Sequence, residues 1–357
     1  MTKVASFDIE YTRFLDPSGE AICSLPPFAE DLEQLKALYE AMVLTRTFDA
    51  KAIALQRTGR LGTFASSLGQ EAVSVGVASA MIPQDVFLPM FREHGVQILR
   101  GVTLKEIFLY WGGDERGSDF AVPREDFPVC ITVGSLAPHA AGVALAMKLR
   151  GEARAAVCIV GDGATSKGDV YEAMNLAGVW KLPVLFVINN NRWAISVPVS
   201  RQTASETLAQ KAIGAGIPGE QVDGNDVIAV RHAASQALKK ARSGGGAHLI
   251  ECLSYRLGDH TTADDASRYR DDAETSKHWK EDPVARLRAY LTGQAGWGKD
   301  DEEGLIAKCS EKVEKAAEAY LATAPGKPES MFDYLYAELP AQLETQRAAA
   351  REDGDDG

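Results

Sequence analysis

Four short stretches of the chain are apolar almost throughout rather than at alternate positions: Phe127–Val133, Ala155–Val160, Val184–Ile188 and Leu249–Leu253. Nearly continuous apolar runs of this length predict strands covered on both faces. Helical stretches fit between them at Ala140–Leu149 and Asp169–Trp180. Strand, helix, strand in that rhythm predicts right-handed crossovers and an α/β fold, a parallel sheet flanked by helices. Upstream, helical spacing begins near Ala29. Leu32, Leu35, Leu38, Tyr39 and Met42 fall on one helix face, and Gly59 and Gly62 end the run. Residues 1–30 show little periodicity and carry Pro17, Gly19, Pro26 and Pro27, as expected of an N-terminal arm lying over a body or a partner. The main α/β domain is expected over residues 31–275 and a charged C-terminal helical region over 276–346. Its last helix runs from Met331 to Gln346, and residues 347–357 read as an acidic, disordered tail.

The chain's 357 residues, 45% of them apolar, suffice for one large α/β domain with appendages. A net charge of −12 argues against nucleic acid or an anionic membrane surface as partner. No run is long and apolar enough to cross a bilayer, and the first residues, MTKVASFDIEYTRF, lack a signal peptide's apolar stretch. A cytoplasmic location follows as the expectation. Cys23, Cys130, Cys158, Cys252 and Cys309 are too scattered for a metal knuckle, and Cys130, Cys158 and Cys252 sit inside apolar runs as buried thiols would.

The candidate chemistry sits at two strand ends. Gly161-Asp162-Gly163 follows one predicted strand and Asn189-Asn190-Asn191 ends the next. Parallel strands joined by one crossover helix put their carboxyl ends on the same sheet edge, where open α/β sheets bind ligands. One carboxylate, an amide oxygen and a glycine turn suit magnesium held together with a diphosphate. Magnesium takes hard oxygens and few carboxylates, glycine lets backbone amides approach phosphate, and the following helix adds its N-terminal end. Each motif alone is a common turn. Rival phosphate loops fail: there is no G-x-x-x-x-G-K-[ST], and the dinucleotide fingerprint breaks at Ser166.

GDG followed by NN at this spacing resembles the thiamin-diphosphate motif. The surrounding residues resemble the alpha subunits of the pyruvate and branched-chain 2-oxo acid dehydrogenases. The segments that carry this are QRTGRLGTFASSLGQEA (56–72), Phe91-Arg92, NNNRWAISVPV (189–199), GIPGEQVDGNDVIAV (216–230), YRLGDHTTADD (255–265), RYR (268–270), DPVARLRAYL (282–291) and MFDYLYAELPAQL (331–343). The resemblance covers nearly the whole chain and implies a thiamin-diphosphate-binding fold. It implies Asp162, the Asn191 amide and the Trp193 carbonyl as ligands of Mg2+. Gly163 and Ala164 would line the diphosphate, Arg92 beside Phe91 would grip it, and backbone near Ile131 and Val133 would meet the aminopyrimidine. His260, in a polar loop, would be the catalytic residue beside thiamin diphosphate; histidine suits proton exchange near neutral pH.

The resemblance further implies oxidative decarboxylation of a small 2-oxo acid and transfer of the acyl group to a lipoyl-bearing acyltransferase core. A beta subunit would complete the site, in an assembly of two alpha and two beta chains. Pyruvate is the expected substrate and 3-methyl-2-oxobutanoate the alternative; a non-catalytic paralogue is a third reading. One departure bears on this. The family's histidine is absent from WGGDERGSDFAVPRED, residues 111–126, leaving Arg116, Ser118 or Asp119 as candidate stand-ins, while His139 belongs to a helix start. Phosphorylation of Thr261 is left open.

Overall fold

The computed structural model describes residues 1–333 and 335–355. Among the described residues eight strands occur in chain order: β1 (Tyr11–Thr12), β2 (Val86–Leu88), β3 (Ala156–Gly161), β4 (Val184–Asn190), β5 (Trp193–Ala194), β6 (Val197–Pro198), β7 (Gly219–Asp223) and β8 (His248–Leu253). Six of them form one parallel sheet in the order β1-β7-β8-β4-β3-β2, and β5 and β6 make a small antiparallel hairpin. The helices are α1 (Leu32–Arg57), α2 (Glu71–Ala80), α3 (His94–Arg100), α4 (Leu104–Trp111), α5 (Leu136–Arg150), α6 (Gly168–Val179), α7 (Lys211–Gly214), α8 (Val227–Arg242), α9 (Asp272–His278), α10 (Pro283–Ala295), α11 (Lys299–Leu321) and α12 (Ala341–Asp355). No described helix is long and apolar enough to cross a membrane.

The expected α/β architecture is present, and alternation across the pleat explains its layers. Cys158, Val160, Phe186 and Ile188 pack against α5 and α6 on one face. Val157, Ile159, Leu185 and Val187 pack against α2 and α8 on the other. Each such large apolar side chain contributes about 1.5–3 kcal/mol on burial. A third core joins α1, α4, α10 and α11. The helix starts follow local chemistry. Asp31 caps α1 through the Glu33 N–H, and Thr103 with Glu106 forms a capping box on α4. Asp226 caps α8 and also accepts the Phe14 and Leu15 N–H groups at 2.7 and 2.8 Å, which pins the N-terminal arm to the domain. The arm therefore does more than lie over the body: its β1 adds a parallel edge strand along β7.

Several boundaries differ from the sequence reading. Phe127–Val133 is not a strand. Pro128 has no N–H to give to a ladder, and Phe127 makes a single sheet-like bond, donating its N–H to the Phe87 carbonyl at 2.9 Å. The edge beside β3 belongs instead to β2, whose Phe87 N–H is accepted by Asp126 at 2.9 Å. Cys130 is consequently half-buried rather than buried, while Cys158, Cys252 and Cys309 are buried free thiols. The helix expected from Ala140 begins at Leu136, so His139 lies in its first turns, with Nδ1 2.8 Å from the Ser135 carbonyl. Met331–Gln346 is not one helix. A short 3-10 turn spans Pro328–Phe332, and α12 starts after Pro340. It continues to Asp355, through most of the expected disordered tail, helped by the Arg347–Asp333 pair at 2.9 Å. Tyr334, Asp356 and Gly357, which those two expected segments include, lie outside the described residues.

Candidate functional site

The register sets the site. Gly161 on β3 pairs with Asn189 on β4, and Asn190 pairs with Leu253 on β8. The carboxyl ends of the three central strands therefore stop at one level, and the segments leaving them meet there.

Asp162 opens a 3-10 turn directly after β3 and is 2% exposed. Its Oδ2 accepts from Gln202 Nε2 at 2.5 Å. Burial raises its pKa, against that hydrogen bond. Among the described residues it has no ion pair. At Gly163 a Cβ would stand 2.7 Å from the Ala194 Cβ, so the hairpin β5–β6 closes on this turn only because glycine is there. Ala164 is fully buried.

At the end of β4, Asn191 Nδ2 donates to Gln70 Oε1 at 2.9 Å, and its Oδ1 accepts the Trp193 N–H at 3.2 Å. Asn189 Nδ2 donates to the same Gln70 oxygen at 3.1 Å. Asn190 turns the other way, onto Glu251 at 2.7 Å. Arg192 and Ile195, which flank Trp193, hold left-handed backbone at φ 72° and 54°. Such non-glycine residues cost about 1–3 kcal/mol each and cluster at functional sites.

Beyond β8 the chain runs through Arg256 to His260, and beyond β2 through Phe91 to Arg92. Arg92 donates from Nη1 to the Ser66 carbonyl at 2.8 Å and from Nη2 to the His260 carbonyl at 2.6 Å. The same Nη2 stands 2.9 Å from His260 Nδ1, and Arg256 Nη1 stands 3.4 Å from it. Arg256 also donates to the Trp193 carbonyl at 3.3 Å and to the Ile195 carbonyl at 2.8 Å. Two guanidinium groups facing Nδ1 make it the acceptor nitrogen of His260. Burial first, then the charges of Arg92 and Arg256, hold this imidazole down at about pKa 4. Phe91 presents its ring edgewise to His260, with centroids 6.0 Å apart.

Both arginines are buried, Arg92 2% and Arg256 1% exposed, and neither forms an ion pair among the described residues. Burial lowers both pKa values, Arg92 to about 10. Arg256 Nε is a buried donor without a partner. The adjoining Glu93 offsets little, because burial raises its own carboxyl to about 7. Uncompensated buried charge is costly. Two such cations lie side by side at this edge, where the buried Asp162 carboxylate, the Asn191 amide oxygen and the Trp193 carbonyl are the oxygens on offer.

The sequence-predicted residues divide accordingly. Asp162, Gly163, Ala164, Asn191, Trp193, Phe91, Arg92 and His260 come together. Ile131 and Val133 do not enter the buried cluster. They are 54% and 40% exposed in the irregular segment, whose Cys130, Thr132 and Gly134 share a narrow crevice with Met90 and Val160. Arg116 is held by Asp114 and the Ala324 carbonyl, and Asp119 by Arg124, so both are engaged on the surface away from the cluster. Ser118 closes the same exposed 3-10 turn. Sequence reasoning missed Arg256, Gln70 and Gln202. Arg256 and Gln70 lie inside the motifs YRLGDH and SSLGQEA, and nothing in their local spacing distinguishes them.

The carboxyl edge of this α/β sheet thus holds two buried guanidinium groups and a buried carboxylate. Residues 39–329 match the model of the dehydrogenase E1 component. A Mycobacterium tuberculosis protein named 3-methyl-2-oxobutanoate dehydrogenase subunit alpha is 39% identical, over 97% of this chain and 95% of its own. Proteins named pyruvate dehydrogenase E1 component subunit alpha are 42% identical in Acholeplasma laidlawii, over 88% of this chain and 92% of theirs, and 40% identical in Staphylococcus aureus, over 94% and 91%. The chain belongs to the dehydrogenase E1 component family.

Proposed function

We propose that this chain is the alpha subunit of a thiamin-diphosphate- and magnesium-dependent 2-oxo acid dehydrogenase. It decarboxylates pyruvate oxidatively and passes the acyl group to a lipoyl group of an acyltransferase core. The observation that carries the reading is the pairing of two buried, unpaired guanidinium groups with a buried, unpaired carboxylate at one sheet edge. The named relatives at 39–42% identity support the class.

The residues fit the group on chemical grounds. Arg256 Nε lacks a partner and the two guanidiniums lack counter-ions, which diphosphate oxygens supply; guanidinium forks suit phosphate. Asp162, Asn191 and the Trp193 carbonyl offer the hard oxygens that magnesium takes, and Gly163 and Ala164 would line the diphosphate. When bound, thiamin diphosphate supplies the electron sink for loss of carbon dioxide, and magnesium neutralises its diphosphate. The protein's part is to orient, exclude water and handle protons. Phe91 walls His260 on one side. His260 is neutral at pH 7 with its Nδ1 lone pair turned to the arginines, so Nε2 carries the N–H and is the nitrogen that would donate a hydrogen bond at the reacting end. Backbone near Ile131 and Val133, at the exposed border of the cluster, would meet the aminopyrimidine, and a beta chain would close that side in an assembly of two alpha and two beta chains. The joint presence of Asp162, Arg92 and His260 argues against a non-catalytic paralogue.

The substrate rests on less. The Mycobacterium tuberculosis relative, named for 3-methyl-2-oxobutanoate, keeps the branched-chain acid as the second reading. One methylene in a shared pocket is worth only about 1–3 kcal/mol. The test is the ratio of kcat/KM for pyruvate and 3-methyl-2-oxobutanoate with the assembled alpha and beta chains. A ratio above one is expected. A tenfold preference for the branched acid, about 1.4 kcal/mol in transition-state binding, overturns the choice of pyruvate and leaves the class intact.

A further inference from the structure

Gln70 stands immediately before α2, fully buried beneath the strand-end asparagines. Its side chain makes no capping hydrogen bond to the helix it precedes. Instead its Oε1 accepts two amide N–H groups, from Asn191 Nδ2 at 2.9 Å and Asn189 Nδ2 at 3.1 Å. Its own Nε2 is buried and has no partner.

An asparagine amide can turn over with little steric penalty, since its oxygen and nitrogen ends are nearly the same size. Only the hydrogen-bond partners decide which end faces which way. At position 191 that choice has a chemical consequence. Magnesium takes oxygen ligands and an amide NH2 group is not one. With Oε1 of Gln70 on one side, the Asn191 nitrogen must face it, because the turned-over amide would set oxygen against oxygen. Asn191 Oδ1 is thereby directed away from Gln70, where it accepts the Trp193 N–H at 3.2 Å with one lone pair and keeps the other. Asn189 shows the same arrangement: its nitrogen faces Gln70 and its oxygen accepts from Ser254 Oγ at 2.6 Å. Gln70 cannot itself turn over, since its Nε2 would then meet two NH2 groups. The unpaired Nε2 is what remains once the acceptor end is committed to both asparagines.

We infer that Gln70 is a positioning residue for the metal: its side-chain carbonyl, acting on the paired Asn189 and Asn191 amides, holds the Asn191 oxygen in the ligating orientation. The inference rests on the proposed function, in which Asn191 is a magnesium ligand. It assigns the acceptor oxygen, rather than the bulk or the N–H of Gln70, as the functional group. Glutamate at 70 keeps an acceptor and loses no hydrogen bond, because Nε2 makes none. Methionine fills similar volume without an acceptor of that strength. Asparagine keeps the amide one methylene short.

The experiment uses the alpha chain assembled with its beta chain and titrates magnesium chloride at fixed thiamin diphosphate, reading tryptophan fluorescence. Melting of the unloaded assembly is recorded beside it. Gln70→Met is expected to raise the half-saturating magnesium concentration at least tenfold, with turnover recovered at saturating magnesium. Gln70→Glu is expected to raise it less than threefold. Gln70→Asn is expected to behave like Gln70→Met and gives the same readout should the methionine variant not fold. A rise below tenfold in the acceptor-less or shortened variant, or a Gln70→Glu assembly as weak as they are, overturns the inference. Asp162→Ala separates this from the reading beneath it. If Asp162→Ala abolishes magnesium dependence while Gln70→Met leaves it intact, only the role of Gln70 falls. If Asp162→Ala leaves it intact, the metal site itself is misplaced.

Discussion

The carboxyl edge of the sheet and the segment 127–133 border the same site and are built in opposite ways. At the edge, polar and charged groups are buried and tied: Asp162 to Gln202, Asn191 to Gln70, and Arg92 and Arg256 to backbone carbonyls and His260. In the segment, the backbone has left the ladder, Phe127 and Val129 are half-buried, and the apolar Ile131 and Val133 are exposed. A buried polar cluster with its partners in place is pre-organised for charged ligands. An exposed apolar border next to it is what a second chain covers. In the proposed function the difference means that this chain carries one finished half of a site, the half for phosphate and metal, and leaves the other half for the beta chain.

The comparison breaks most completely if the open half needs no partner. The purified chain alone is therefore expected to show no decarboxylation with pyruvate, thiamin diphosphate and magnesium; robust turnover by a preparation free of beta chain would falsify the division. Next in size, His260→Ala in the assembly is expected to lower turnover to a lipoyl acceptor about 100-fold, in the range of one lost hydrogen-bond donor to developing charge. Thiamin diphosphate affinity should stay within a few-fold by calorimetry, and an equal loss in both would make His260 part of the binding half alone. A smaller effect concerns acid stability. The His260 pKa is held at about 4 against an ordinary 6.5. Between those values the unfolded chain takes up a proton that the folded chain refuses, so stability falls as pH falls from 6.5 toward 4. Urea melts at pH 7 and 5 are expected to differ more for the wild type than for His260→Ala. The smallest effect on the fold comes from Ile131→Asp. An exposed side chain changes stability by no more than about 0.5 kcal/mol, yet a charge on that border is expected to weaken association with the beta chain about tenfold. Ultracentrifugation of the mixture distinguishes this from an unchanged assembly.

The buried edge was legible because its signals are local. The runs that became β3, β4 and β8 are apolar over their length, and turn-forming Gly161-Asp162-Gly163 and Asn189–Asn191 mark where two of them stop. Parallel pairing then brings those ends together with no further information. Three strands of the six-stranded sheet were not legible. β1 has two residues, β2 has three, and β7 reads Gly-Glu-Gln-Val-Asp, polar because it lies toward the sheet's margin. Phe127–Val133 misled for the converse reason: Phe127 and Val129 pack partly against this chain's cores while Ile131 and Val133 are exposed, and none of them answers to a ladder. The partners Gln70, Gln202 and Arg256 come from segments far apart in sequence. Their roles depend on which atom of each side chain faces the site, and periodicity carries no trace of that.

The central claim is that this chain itself holds the metal-diphosphate half, with Asp162 as the charged ligand. Calorimetric titration of thiamin diphosphate into the alpha–beta assembly, with and without magnesium, tests it most directly when the wild type is set beside Asp162→Ala. The account predicts magnesium-dependent binding in the wild type and a loss of at least 100-fold, about 2.7 kcal/mol, in the variant, with its unloaded melting temperature retained. Unchanged magnesium-dependent affinity in Asp162→Ala would contradict it.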